Sequence, residues 1–234
     1  MRELKIVHLF PELLNLYGEK GNIMVLRKRC RLREIETSVT EYKINDEIDI
    51  SDADIIILGG GSKNDVLKAH EKLIKLKDEF KKYQDSNGVM LAIASGFEII
   101  GRSFQIDNEN YEGLNLCGFY SEESKKRLID NVKIETPFGE VIGFTNHSAR
   151  FYLDESEVAF GRVIVGFGNN ETDQYEGILH KNTLATSIHG PLLPKNPNLA
   201  DEVIKRALIK KYGETGDFCD LPTEISDLAR ECIV

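Results

Sequence analysis

The run Gly88-Val-Met-Leu-Ala-Ile-Ala-Ser-Gly-Phe-Glu-Ile-Ile-Gly101 constrains this chain more than any other stretch. Val89 to Ile93 is short, apolar and bounded by breakers, as a buried central strand is. Ser95-Gly96 interrupts it, and Phe97, Ile99 and Ile100 resume at helical spacing. A buried strand that turns at once into a helix on small residues lifts one side chain above the sheet edge, beside the unpaired N–H groups of the helix's first turn. Acyl-transfer enzymes set a Ser or Cys nucleophile at that tip, because the helix end lowers a thiol pKa and steadies a developing oxyanion. Here the tip residue is Ala94. The architecture of a nucleophile elbow is present and the nucleophile is not.

The rest of the first half supplies the frame for such an elbow. Residues 4–10 read as a first strand, 15–22 as a loop, 23–34 as an amphipathic helix and 35–44 as a half-exposed strand. Residues 53–58 form a second buried strand that ends in Gly59-Gly60-Gly61-Ser62, and 64–84 a long charged amphipathic helix leading into the elbow strand. This alternation predicts an α/β fold, a mostly parallel central sheet with helices on both faces. The second half is richer in strands, at 115–120, 131–135, 140–145, 162–166, 178–180 and 184–188. A loop at 189–196, a helix at 199–212 and a further helical stretch from Glu224 follow. No linker, repeat or low-complexity segment divides the 234 residues, which suits a single domain over 1–234.

Composition removes several function classes. A net charge of −9 argues against a nucleic-acid surface or an anionic membrane as partner. No apolar run approaches the ~18–20 residues of a membrane span, and Met1-Arg-Glu-Leu-Lys lacks a signal peptide's apolar core. Cys30, Cys117, Cys219 and Cys232 are scattered without a CxxC pair, so no metal site is expected and they read as reduced thiols of a cytoplasmic protein.

Four features carry candidate chemistry. Gly59-Gly60-Gly61-Ser62 could cradle a phosphate, wall an oxyanion hole facing the elbow, or simply make a tight turn. Neither G-x-G-x-x-G nor a P-loop Lys-Ser/Thr follows it. His189 ends a strand and precedes Gly190-Pro191, on the strand edge where open α/β sheets keep their chemistry. His147, within Asn146-His147-Ser148-Ala149-Arg150, belongs to a polar loop that either shapes a pocket or serves structure. Arg127 offers a guanidinium fork for a carboxylate, or is solvated surface.

Together these pieces resemble class I glutamine amidotransferases of the cobyric-acid-synthase-like branch, and among them the glutaminase subunits of lipid II isoglutaminyl synthases. The most specific segments are Leu14-Asn-Leu-Tyr-Gly-Glu-Lys-Gly-Asn22 and His189-Gly-Pro-Leu-Leu-Pro-Lys-Asn196. Gly143-Phe-Thr-Asn-His-Ser-Ala-Arg150, Gly166-Phe-Gly-Asn-Asn170 and Glu176-Gly177 support them. The resemblance implies a cysteine at the position of Ala94 that attacks glutamine, with His189 as general base and acid. It implies oxyanion donors near Gly60 and Ser95, and Arg127 as the glutamine anchor. It also implies a Mur-ligase-like partner subunit that receives ammonia and amidates the D-glutamate of lipid II. ATP and Mg are expected on that partner, and no cofactor in this chain. Where many relatives carry a glutamate two residues after the histidine, this chain has Pro191, so the family's third carboxylate is expected from the partner.

The elbow departs from the family's usual Cys-Gly-Gly-Tyr/Phe-Gln, reading Ala94-Ser95-Gly96-Phe97-Glu98. Ser62-Lys63-Asn64 replaces the usual Gln-Asp-Arg, and Ala185-Thr-Ser-Ile188 the usual Gly-Thr-Tyr-Leu. An engineered Cys→Ala change and natural loss of catalysis both account for Ala94. Ser95 lies one residue past the tip and is a poor substitute nucleophile. Three functions follow as alternatives: a glutaminase subunit inactive for want of its cysteine, a non-catalytic module that stabilises its partner, or an amidotransferase-like domain serving another acceptor.

Overall fold

Val89–Ile93 forms the expected strand, buried at every residue. A computed structural model describes residues 2–223, 227, 228 and 230. The first half runs β1 (Arg2–Leu9), α1 (Lys20–Arg31), β2 (Ile35–Tyr42), β3 (Ile55–Leu58), α2 (Lys63–Leu73), α3 (Lys77–Asp85), β4 (Val89–Ile93) and α4 (Ser95–Ile100). The second half runs β5 (Ser103–Ile106), β6 (Glu109–Glu112), β7 (Phe119–Thr136), β8 (Gly139–Leu153), β9 (Gly161–Val165), β10 (Tyr175–Glu176), β11 (Ile178–His180), β12 (Thr183–Thr186), α5 (Leu192–Lys195) and α6 (Pro197–Tyr212).

One six-stranded sheet has the order β11-β12-β4-β3-β1-β2. Every pairing in it is parallel except β11 with β12 at the edge. Strands buried on both faces must be apolar on both, which is why β3 and β4 lack polar alternation. Leu4, Ile6, Ile55, Ile57, Leu91 and Ile93 pack toward α1, α5 and α6. Val7, Leu9, Ile56, Leu58, Met90 and Ala92 pack toward α2, α3 and α4. The sheet therefore carries helices on both faces, as the sequence predicts.

A second sheet, β10-β9-β7-β5-β6 with β8 beside β7, is mostly antiparallel. The strands expected at 131–135 and 140–145 are the inner halves of one long β7–β8 hairpin. Residues 146–150, expected as a polar loop, lie within β8 and pair with β7, Asn146 opposite Ile129 and His147 opposite Leu128. Their polarity suits a strand whose residues line a cleft rather than a dry core. The helix expected over 64–84 is divided by a 3-10 turn at Ile74–Leu76. The loop expected at 189–196 contains the single-turn α5. The β5–β6 hairpin, not anticipated, turns at Asp107 and Asn108, both at positive φ (52° and 64°). The helical stretch expected from Glu224 falls largely outside the described residues. No described helix is long and apolar enough to cross a membrane.

Candidate active site

The elbow is strained at one residue. Ala94 sits at φ 53°, ψ −119°, a conformation that costs a non-glycine residue on the order of 1–3 kcal/mol. Hydrogen bonds on either side hold it there: Ala94 N–H donates to Thr186 O at 2.9 Å, and Phe97 N–H donates to Ala94 O at 2.9 Å. Gly96 is required for the sharp turn, since a Cβ there would lie 2.4 Å from Leu58 O. The tip therefore keeps the geometry of a nucleophile position while presenting a methyl group.

That methyl opens onto a cleft of about 600 Å³, counting the solvent at its mouth. Ala94, Ser95, Glu98 and Ser187 line it, together with Tyr17, Gly61, Lys63, Glu123, Arg127, Asn146 and His147. Of the residues the sequence singled out, Gly61, Ala94, Ser95, Arg127 and His147 share this cleft. Gly60 backs it closely, where a Cβ would lie 2.8 Å from Ala94 Cβ and 3.0 Å from the Tyr17 ring. The Gly60 N–H points away, toward Glu19 Oε1 at 3.4 Å, and Gly60 O accepts from Leu16 N–H at 3.0 Å. Ser95 heads α4, with its N–H in the open first turn.

His189 stands just behind the cleft's Tyr17. The two rings stack at 3.8 Å and 13°, and Phe144 meets the imidazole edge-on at 5.8 Å. His189 is fixed through its backbone, whose N–H donates to Phe144 O at 2.9 Å. Its Nε2 is buried without a hydrogen-bond partner. Burial, with Lys195 and Arg127 adding positive charge nearby, pulls its pKa down to about 4, so the ring is a neutral base at ordinary pH.

Arg127 projects from the irregular stretch of β7 between Glu123 and Leu128. It donates to Asn146 Oδ1 at 2.7 Å and Asn146 O at 2.6 Å, which aims its guanidinium without neutralising it. His147 Nδ1 faces Ala149 O at 2.8 Å, so that nitrogen carries the proton and the buried Nε2 keeps a bare lone pair.

Residues 5–197 match the family of CobB/CobQ-like glutamine amidotransferase domains. The chain belongs to that family. Among its relatives is the lipid II isoglutaminyl synthase (glutamine-hydrolyzing) subunit GatD of Staphylococcus aureus (strain N315), 37% identical over 213 residues, 90% of this chain and 87% of that protein. The subunit of the same name from Streptococcus pneumoniae (strain ATCC BAA-255 / R6) is 34% identical over 216 residues, 91% of this chain and 83% of that protein. Two glutamine amidotransferase crystal structures share the fold. One has a TM-score of 0.59 at 16% identity, covering 86% of this chain and 98% of its own. The other, from Thermotoga maritima, has a TM-score of 0.51 at 12% identity, covering 100% and 87%.

Within this amidotransferase fold, two buried carboxyls shape the site from behind, and sequence reasoning missed both. Glu176 is fully buried and accepts from Thr186 Oγ1 (2.8 Å), Ser187 N–H (2.7 Å) and Ser187 Oγ (2.8 Å). It thereby fixes the segment that runs from β12 into His189. Burial nonetheless pushes its pKa up to about 7. Glu19, likewise raised to about 7 by burial, ties the loop before α1 to Gly60. Glu98, raised to about 8 by burial and by neighbouring Glu123, accepts no hydrogen bond among the described residues.

Proposed function

We propose that this chain is the amidotransferase-type subunit of a cytoplasmic lipid II-amidating complex and that, with Ala94 at its elbow, it does not hydrolyse glutamine. The reading is supported by the names of the two GatD relatives over nine-tenths of the chain. The observation that carries its second half is the Ala94 methyl at a strained tip that otherwise suits a nucleophile. In a chain with a cysteine there, His189 would take the thiol proton as the sulfur attacks the glutamine carboxamide and would pass it to the departing ammonia, leaving a glutamyl thioester for water to cleave. A methyl group can form no thioester, and by analogy with protease nucleophile knockouts the loss is on the order of 10⁶-fold in kcat.

The partner in this reading is a Mur-ligase-like subunit, held as a heterodimer, that uses ATP and Mg to activate the D-glutamate carboxyl of lipid II for amidation. It also supplies the carboxylate that Pro191 denies to His189. A second reading, a subunit that has lost catalysis naturally and serves to stabilise or regulate its partner, is favoured by the Gly60 N–H directed at Glu19 and by the acid at Glu98. The complex, reconstituted with its Mur-ligase-like partner and given ATP, Mg and lipid II, is expected to amidate with ammonium chloride and not with glutamine. Amidation supported by glutamine would overturn the claim of inactivity, and failure to form a complex would overturn the assignment.

A further inference from the structure

Three strands away from β4, the central sheet ends in β2, whose one partner strand among the described residues is β1. Strands lie about 4.8 Å apart, so this edge is roughly 14 Å from the elbow strand. β2 keeps register with β1 over all eight residues, Ile35 to Tyr42, without a bulge. It holds no proline and no lysine, the residues that commonly blunt a sheet edge. Its outer row of backbone N–H and C=O groups is therefore open to another strand.

A groove of about 1960 Å³, counting the open solvent above it, runs between this edge and α1. Met24, Arg27, Lys28 and Arg31 line its helix side, and Ile35 and Thr37 its strand side. Met24 is 69% exposed, and with Lys28 and Arg31 it recurs at helical spacing, so the three form one stripe. Because α1 crosses back between two parallel strands, it runs opposite to β2, which sets Arg31 toward Ile35 and Met24 toward Val39. Arg29, on the inner face of α1, and Arg33 beyond it are neutralised by Asp201. Arg27, Lys28 and Arg31 make no ion pair among the described residues, in a chain whose net charge is −9. Of the two acids that border the groove, Glu34 belongs to the turn before β2, and Glu36 alternates to the opposite face of the sheet from Ile35 and Thr37.

An open strand edge beside a cationic helix stripe complements an added strand with carboxylates on the side facing α1. We infer that β2 and α1 form a docking groove for an extended acidic segment of a partner protein, which joins the central sheet as a further strand. That segment carries two acids at alternate positions, opposite Arg31 and Lys28, and an apolar residue on the same face opposite Met24. A second copy of this chain does not meet that description. Full-length antiparallel pairing of β2 with its copy sets Glu36 opposite Glu41 and brings the two α1 stripes together, like charge on like.

The probe is an end-blocked heptapeptide in which threonine alternates with glutamate, glutamate and valine, titrated into the chain and followed by NMR. Alternate backbone amides of Ile35–Tyr42, those on the outer edge, are expected to shift and to exchange more slowly with peptide bound. Replacing both glutamates by lysine is expected to weaken binding at least tenfold. N-methylation of the peptide amides, which removes the ladder donors without touching charge, is expected to do the same. In Lys28→Glu/Arg31→Glu the preference is expected to reverse, with the lysine peptide now the tighter ligand, a swap that a folding defect could not produce. Equal binding of the two peptides by the parent chain would overturn the role given to α1, and indifference to N-methylation would overturn strand addition. Unperturbed β2 amides at millimolar acidic peptide would overturn the site. Dimerisation of the chain in sedimentation, abolished by that peptide, would overturn the acidic partner in favour of a second copy.

Discussion

Glu176→Gln tests whether a buried acid holds the His189 segment at a cost in stability. Folding raises the Glu176 pKa from 4.5 to about 7, chiefly by burial, against the hydrogen bonds it accepts. A carboxyl that binds its proton more tightly when folded contributes stability fully present below pH 4.5 and lost as pH climbs to about 7. At about 1.4 kcal/mol per tenfold change in proton affinity, the loss is about 3 kcal/mol. Glutamine has the same shape and cannot ionise. Its oxygen can accept from Ser187 N–H and Oγ, and its amide can donate to Thr186 Oγ1, which already accepts Ile188 N–H at 3.0 Å. Urea unfolding of both proteins at pH 5 and pH 8 is therefore expected to give similar stabilities at pH 5 and a variant about 2–3 kcal/mol more stable than its parent at pH 8. Other titrating groups act equally in both proteins and cancel in the difference. A constant offset at the two pH values, or a variant weaker at pH 8 than at pH 5 relative to the parent, would refute the reasoning.

Three further outcomes follow from the same physics. Burial of Asp201 is outweighed by hydrogen bonds from Arg29 and Arg33, which hold its pKa below the usual carboxylate value. Asp201→Ala strands two largely buried guanidiniums and should cost about 3–5 kcal/mol in urea unfolding at pH 7, where a cost under ~1 kcal/mol would contradict it. Gly60→Ala places a methyl against Ala94 and the Tyr17 ring and should destabilise by about 1–3 kcal/mol, so an unchanged melting temperature would count against the close packing. The His189 ring, followed by NMR, should titrate near pH 4, and a midpoint near 6.5 would mean that it is not desolvated.

The elbow was legible because three local signals agree in it: an apolar run fit for burial on both faces, small residues at the turn, and helical spacing beyond. The parallel order of the first half followed from the same periodicity. His189 was legible from its place before Gly190-Pro191, at a strand's end. The β5–β6 hairpin carried a turn signal, Asp107-Asn108, of the kind that tolerates positive φ. The 146–150 segment misled because alternation of polar residues on a cleft-lining strand looks like a loop. Glu176 was out of reach for another reason. Its meaning depends on Thr186 and Ser187, brought to it across the β11–β12 turn, and its own dipeptide with Gly177 reads only as turn chemistry. Glu19 gains its role in the same way, from a glycine forty-one positions along the chain.

The most direct test of the central claim is glutamate release from glutamine by the chain and by Ala94→Cys, each with the Mur-ligase-like partner. The parent chain is expected to release no glutamate above the no-protein control. Ala94→Cys is expected to turn over glutamine, and Ala94→Cys/His189→Ala to lose that turnover again. Glutamine hydrolysis by the parent chain at a comparable rate would contradict this, because the elbow methyl would then not be what silences the site.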